Sequence, residues 1–335
     1  MAWQVFCIYL LEKIGDLGYN GAEEEKRTEK REESLMINSD KNALATLSKV
    51  AVLSDIHSNY YAFKACVDDA LHHGAQGFVF LGDYVSDLSE LRPTLDLLYE
   101  ICEKFPAACL RGNRERYMLG HRDGKSHFSC DAGTGSLFYT YERLTSEELT
   151  MFENMKFADT LNVGGVDFEI AHSALDQDRV YFDHKGGTEK IFPQMKCRYF
   201  LTGHSHKQYL IEKDGKTIIN PGSVGVPHGG CPWPKFAMLK IVGGDVICDL
   251  RRVKYDVESV IHAQFASGLV DCGKYWSIAI LYDIMTGNEH CIHLLKSVLT
   301  RGGSEDEEVW RDEAQKLGMK FTEREILETW RAMEK

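Results

Sequence analysis

Val50-Ala51-Val52-Leu53-Ser54-Asp55-Ile56-His57-Ser58-Asn59 is a short apolar run that closes on a carboxylate and an imidazole separated by one residue. An unbroken apolar run is the pattern of a parallel strand buried on both faces, and the polar break and helical pattern after it put Asp55 and His57 at the strand's carboxyl end. Alone, such a pair serves as readily for a helix cap as for two metal ligands.

The same event recurs down the chain. Phe78-Val79-Phe80-Leu81 runs into Gly82-Asp83, Ala107-Ala108-Cys109-Leu110 into Arg111-Gly112-Asn113, Phe168-Glu169-Ile170-Ala171 into His172, and Tyr199-Phe200-Leu201-Thr202 into Gly203-His204-Ser205-His206. Asp, Asn and His are the oxygen and nitrogen donors suited to Mn, Fe, Zn and similar divalent ions. Sites in open α/β sheets form outside the carboxyl ends of the strands, so all seven candidate ligands are expected to converge on one edge.

In this order, Asp55-x-His57, Gly82-Asp83, Gly112-Asn113, His172 and Gly203-His204-Ser205-His206 resemble the calcineurin-like metallophosphoesterases. The short bacterial and archaeal phosphodiesterase branch is the nearest match, helped by Asn220-Pro221-Gly222-Ser223-Val224-Gly225. The resemblance covers residues 49–254 and implies a two-sheet α/β sandwich flanked by helices. It further implies a binuclear metal-dependent phosphoesterase that hydrolyses a phosphodiester or phosphomonoester with a metal-activated hydroxide. Asp55, His57 and His206 would hold one ion, and Asn113, His172 and His204 the other. Asp83 is the expected bridge, because a carboxylate can serve two ions and one imidazole lone pair cannot. The two ions are expected to come from Mn, Fe, Zn, Ni or Mg, with Mn or Fe favoured, and Asn113, Arg114 and His172 are the expected catalytic residues.

Arg114 departs from the family pattern, in which His commonly follows Gly-Asn and protonates the leaving group. A guanidinium does not titrate in the useful range, but it can grip phosphate oxygens in bidentate fashion. A purely structural salt bridge to Glu115 is equally compatible with the sequence. Gly82-Asp83-Tyr84-Val85 also resembles the start of the protein-phosphatase motif, but Ser86-Asp87 follows where Asp-Arg is expected, which weakens that reading. Dinucleoside-polyphosphate cleavage stays open, as does a non-catalytic scaffold of the same fold.

The rest of the chain sets the context. A net charge of −12 argues against nonspecific nucleic-acid binding but leaves room for a small phosphoester or nucleotide-type substrate. Ten cysteines without a Cys-x-x-Cys pair read as reduced thiols in a cytoplasmic protein. No apolar stretch approaches the roughly 20 residues of a membrane span. Residues 1–48 read as an extension, either poorly ordered or a short helix around Trp3, Phe6 and Leu10 followed by the charged run 23–33. Gly164-Gly165 and Asp214-Gly215 read as hairpin turns within the catalytic domain, 49–254. Residues 255–335 read as a helical appendage that packs on the core, joins two copies or covers the site, with capping boxes at Ser304/Glu307 and Thr322/Glu325. His121, His127 and His228 read as loop residues, with a place bordering the site as the lesser alternative. His72 and His73 read as partners of a helix C-terminus, and His184, His262, His290 and His293 as surface or packing residues.

Overall fold

The computed structural model describes residues 41–174, 188–303 and 306–334. The anticipated amino-terminal helix, the charged run 23–33, His184 and the Ser304 cap lie outside the described residues.

Two five-stranded mixed sheets pack face to face. The first contains β1 (Lys49–Leu53), β2 (Gly77–Phe80), β3 (Ala107–Cys109), β9 (Lys235–Val242) and β10 (Asp245–Arg252), in the order β10-β9-β1-β2-β3. The second contains β4 (Ala158–Val163), β5 (Val166–Ala171), β6 (Tyr199–Thr202), β7 (Tyr209–Lys213) and β8 (Lys216–Asn220), in the order β4-β5-β6-β8-β7. Strands β1, β2 and β3 run parallel, as do β5, β6 and β8. The five ligand-bearing strands therefore divide three and two between the sheets, and their carboxyl ends meet at one rim of the sandwich. Both anticipated hairpins form, β4–β5 around Gly164-Gly165 and β7–β8 around Asp214-Gly215.

The apolar runs follow from burial on two sides. Val50 and Val52 of β1 face Phe168, Ile170 and Leu201 of the other sheet, whereas Ala51 and Leu53 face the helices with Phe63 and Phe80. Strand alternation thus serves two cores at once, so no polar residue interrupts the run. Helix α1 (Tyr60–His72) begins at Asn59, whose side chain accepts from Ala62 N, and ends before Gly74 in the left-handed conformation. Helix α2 (Leu91–Lys104) lies beside it, with Leu91, Leu95, Leu98 and Ile101 buried.

Helices α3 (Asn113–Arg122), α4 (Gly135–Tyr141) and α5 (Ser146–Asn154) fill the segment before β4, and α5 carries the anticipated Thr145/Glu148 capping box. After β10 come α6 (Val257–Ala266), α7 (Leu269–Thr286), α8 (His290–Thr300), α9 (Glu307–Lys316) and α10 (Glu323–Met333). Thr322 caps α10 through Glu325 N as anticipated, while the described start of α9 is capped by Asp306. These helices share the core of α1 and α2 through Trp276, Leu281, Trp310 and Ile326. Among the described residues no helix is long and apolar enough to cross a membrane.

One expectation fails here. Cys130, before α4, and Cys272 of α7 form a disulfide, although the spacing of the cysteines reads as reduced thiols throughout. The pair is separated by 142 residues and meets only because α4 packs on α7. No local spacing encodes that approach.

Candidate metal centre

The site grows out of tight backbone turns at the strand ends. Asp55 N donates to Gly82 O, while Ile56 N and His57 N both donate to Asp83 O, so the loops after β1 and β2 are tied together. The segment 220–225 ties in the second sheet. Asn220 Nδ2 donates to Gly203 O at 2.7 Å, and Ser223 Oγ donates to Asp55 O at 2.8 Å. Asp55, His57, Asp83, His204 and His206 all have positive φ, a conformation that non-glycine residues hold only where their surroundings impose it. Gly203 has no room for a side chain, since a Cβ would collide with Ser54 Oγ and come within 3.0 Å of Asp55 Oδ2.

Two three-residue clusters result, Asp55 with His57 and His206, and Asp83 with His172 and His204. All six residues are buried. Asp83 Oδ2 lies 3.5 Å from His172 Nε2 and 3.8 Å from His57 Nε2, which puts one carboxylate oxygen between the clusters. Asn113 joins the second, its Oδ1 3.0 Å from His172 Nε2. The buried Asn113 Nδ2 has no hydrogen-bond partner among the described residues.

Ring orientation shows that these groups suit cations. His172 Nδ1 points at Leu81 O and His206 Nδ1 at Val226 O, each at 2.7 Å, and His57 Nδ1 lies 3.0 Å from Asp87 Oδ2. With Nδ1 of His172 and of His206 directed at a carbonyl, the Nε2 of each presents a lone pair to the cluster, while His57 Nδ1 lies beside Asp87 outside hydrogen-bond alignment. His57 Nε2 and His206 Nε2 face each other at 3.1 Å, an arrangement that a cation between them relieves.

The field acts in opposite senses on the imidazoles of the site. Burial works against charge on Asp83, yet His172, His57 and Arg114 hold its carboxyl below the usual carboxylate range. Burial pushes His172 down, and the Asp83 carboxylate outweighs it, lifting the imidazole to about 9. Burial, reinforced by His172, pushes His204 down to about 3, and burial with His228 and His57 pushes His206 well down. Neutral imidazole is the ligating form, which burial favours at His204 and His206, whereas His172 would give up its proton to an ion.

Arg114 and Glu115 do not pair. Glu115 accepts from three backbone N–H groups, Gly112 at 2.7 Å, Tyr84 at 2.7 Å and Asp83 at 3.0 Å, which tie the loops after β2 and β3 together. Arg114 instead reaches Asp87, NH2 to Oδ2 at 2.8 Å, with its Nε 4.0 Å from Asp83 Oδ2. Of the three histidines expected in loops, His121 lies instead on a helix, α3, and His228 reaches the site, its ring 4.8 Å from that of His206. His121 stacks on Phe128 at 4.5 Å, a packing role, and His127 has its ring 6.4 Å from His121. His73 caps α1, His262 pairs with Glu323 and His290 sits against Thr286 and Tyr282.

Sequence reasoning missed the contribution of the carboxyl-terminal helices. Trp276 Nε1 of α7 donates to Asp87 Oδ1 at 3.0 Å, and Asp283 of the same helix lies 3.7 Å from His228 Nε2. A helical pattern so far along the chain carries no sign of which rim it covers.

Comparison with known proteins agrees with this geometry. An uncharacterized protein of Methanocaldococcus jannaschii is 24% identical over 234 residues, which span 63% of this chain and 89% of that protein. The crystal structure of a metallophosphoesterase from Sphaerobacter thermophilus is similar at 19% identity, covering 72% of this chain and 99% of that one with a TM-score of 0.57. A hypothetical protein from Pyrococcus horikoshii is similar at 17% identity, covering 66% and 94%, with a TM-score of 0.58. At these identities the two structures speak for the fold alone. The calcineurin-like phosphoesterase superfamily domain matches residues 49–244, the span that contains both sheets apart from β10 and both ligand clusters, and the chain belongs to that superfamily.

Proposed function

We propose that this protein is a binuclear metal-dependent phosphoesterase that hydrolyses a phosphodiester or phosphomonoester in a small, nucleotide-type substrate. The observation that carries this reading is the position of Asp83 Oδ2 between the two clusters, within 4 Å of imidazole nitrogens on both sides. Asp55, His57 and His206 would hold one ion, Asn113, His172 and His204 the other, and Asp83 both. Mn or Fe is the favoured metal, from the mixed oxygen and nitrogen donor set. Two divalent ions so placed lower the pKa of a water and neutralise phosphoryl oxygens.

The chain's own side chains supply the remainder. Asp83 sets the spacing of the two positions. Arg114, anchored on Asp87, brings positive charge to the edge of the cluster, where phosphate oxygens accept from a guanidinium. Asn113 Nδ2, without a partner among the described residues, is a second donor toward the substrate. The motif order supports kinship with the short phosphodiesterase branch, with the catalytic domain at 49–254 and the appendage at 255–335. Seven free cysteines among the described residues favour a reducing, cytoplasmic setting despite the one disulfide. The near-complete burial of every ligand favours the second reading, a scaffold of the same fold.

Metal-stripped protein assayed on matched chromogenic phosphate mono- and diesters, with Mn²⁺ added back, separates the two. The hydrolase reading expects turnover that returns with the metal and is absent in His57→Ala. Two bound ions without turnover on a broad panel of phosphoesters would favour the scaffold.

A further inference from the structure

The loop after Asp83 holds a carboxylate that no part of the ligand motif accounts for. Asp87 is buried, and its backbone stands at φ 66° beside Ser86 at φ 77°, two consecutive residues in the left-handed region without glycine. Such a conformation persists where the surroundings over-determine it. Here five segments do so. Arg114 NH2 reaches Oδ2 at 2.8 Å, and His57 Nδ1 packs 3.0 Å from the same oxygen, in contact but short of hydrogen-bond alignment. Trp276 Nε1 and Ser136 Oγ reach Oδ1 at 3.0 Å and 3.4 Å, and Gln264 Nε2 of α6 donates to the backbone carbonyl at 3.1 Å.

We propose that Asp87 is the positioning residue of the metal centre, and that Trp276 from the carboxyl-terminal helices fixes Asp87 in place. A carboxylate on Nδ1 of a ligating histidine sets its tautomer and ring plane, and makes the opposite nitrogen a stronger donor. His172 and His206 receive the same service from main-chain carbonyls of nearby loops. His57 depends on a side chain whose aim is set from α7. Trp276 is itself placed by a break in α7 at Lys274, φ 48°, which turns the helix just ahead of the indole. The appendage is by this account part of the site for the His57 ion and bears far less on the ion at His172 and His204. This inference rests on the two-metal reading above.

The test is Mn²⁺ titration of metal-stripped protein by calorimetry. The wild type is expected to show two sites, and His57→Ala identifies the step that belongs to the His57 ion. Asp87→Asn is expected to weaken that step about 10–100-fold and to leave the other unchanged. Trp276→Phe, which keeps an aromatic ring and removes the N–H, moves the same step in the same direction and guards against a folding defect in Asp87→Asn. Trp330→Phe, on α10 against Trp233, loosens the appendage without touching Asp87 and is expected to change neither step. Equal weakening of both steps, or none, in Trp276→Phe would overturn the positioning role while the two-metal reading stands. A wild type that binds no Mn²⁺ overturns both.

Discussion

Arg114 donates to Asp87 across 2.8 Å with both side chains almost wholly buried, at the place where a protein phosphatase motif would carry the arginine itself. The charge that the motif lacks after Ser86 is supplied from α3, with Asp87 as its counter-charge. The two residues form a buried ion pair that touches the ligand cluster at Asp83 and His57.

Removing one member of such a pair leaves the other charge uncompensated. Arg114→Ala is expected to destabilise the fold by about 3–5 kcal/mol and Asp87→Ala by a similar amount, measured by urea unfolding. The double variant is expected to fall well short of the sum, because neither charge is left alone. Additive losses would mean that the pair contributes nothing as a pair.

Gly203 stands where a Cβ would strike Ser54 and crowd Asp55. Gly203→Ala is expected to displace the Asp55 side of the site, with reduced Mn²⁺ binding and a destabilisation of about 1–3 kcal/mol from overpacking. Gly215→Ala, at an open hairpin tip with φ 75°, is the matched control: it strains the backbone but is expected to leave metal binding intact.

The Cys130–Cys272 bond ties the segment before α4 to α7 across 142 residues of chain. Reduction is expected to cost about 2–5 kcal/mol in unfolding free energy. Thermal unfolding should shift down with reductant in the wild type and stay put in Cys272→Ser. Identical wild-type curves with and without reductant would show that the bond does not form in solution.

At the α8–α9 junction Glu313 accepts from Lys316 Nζ at 2.7 Å, Ser297 Oγ at 2.5 Å and Arg301 NH1 at 2.9 Å. These donors, Lys316 foremost, hold its carboxyl at about 2, below an ordinary value of 4.5. A depressed folded-state value means that the contribution is complete above pH 4.5 and drains away as pH falls toward 2. Glu313→Gln should therefore melt lower than wild type at neutral pH, and the gap should close across that window. A constant gap would show that the carboxylate has no such role.

Much of this protein was written in local pattern. The runs at Val50, Phe78 and Tyr199, each closing on Asp or His, were enough to mark parallel strands, their carboxyl ends and the residues that gather there, because an apolar run buried on two faces and a polar turn after it are both local consequences of side-chain chemistry. The turns at Gly164-Gly165 and Asp214-Gly215 were legible for the same reason. Contacts between segments far apart in the chain were not. Glu115 turning from Arg114 to three backbone amides, Asp87 accepting from Trp276, and Cys130 meeting Cys272 all depend on how helices with ordinary amphipathic patterns settle on the sandwich. Periodicity says which face of a helix is buried, but the partner of that face is chosen by packing, in which side chains from every layer must fit together at once.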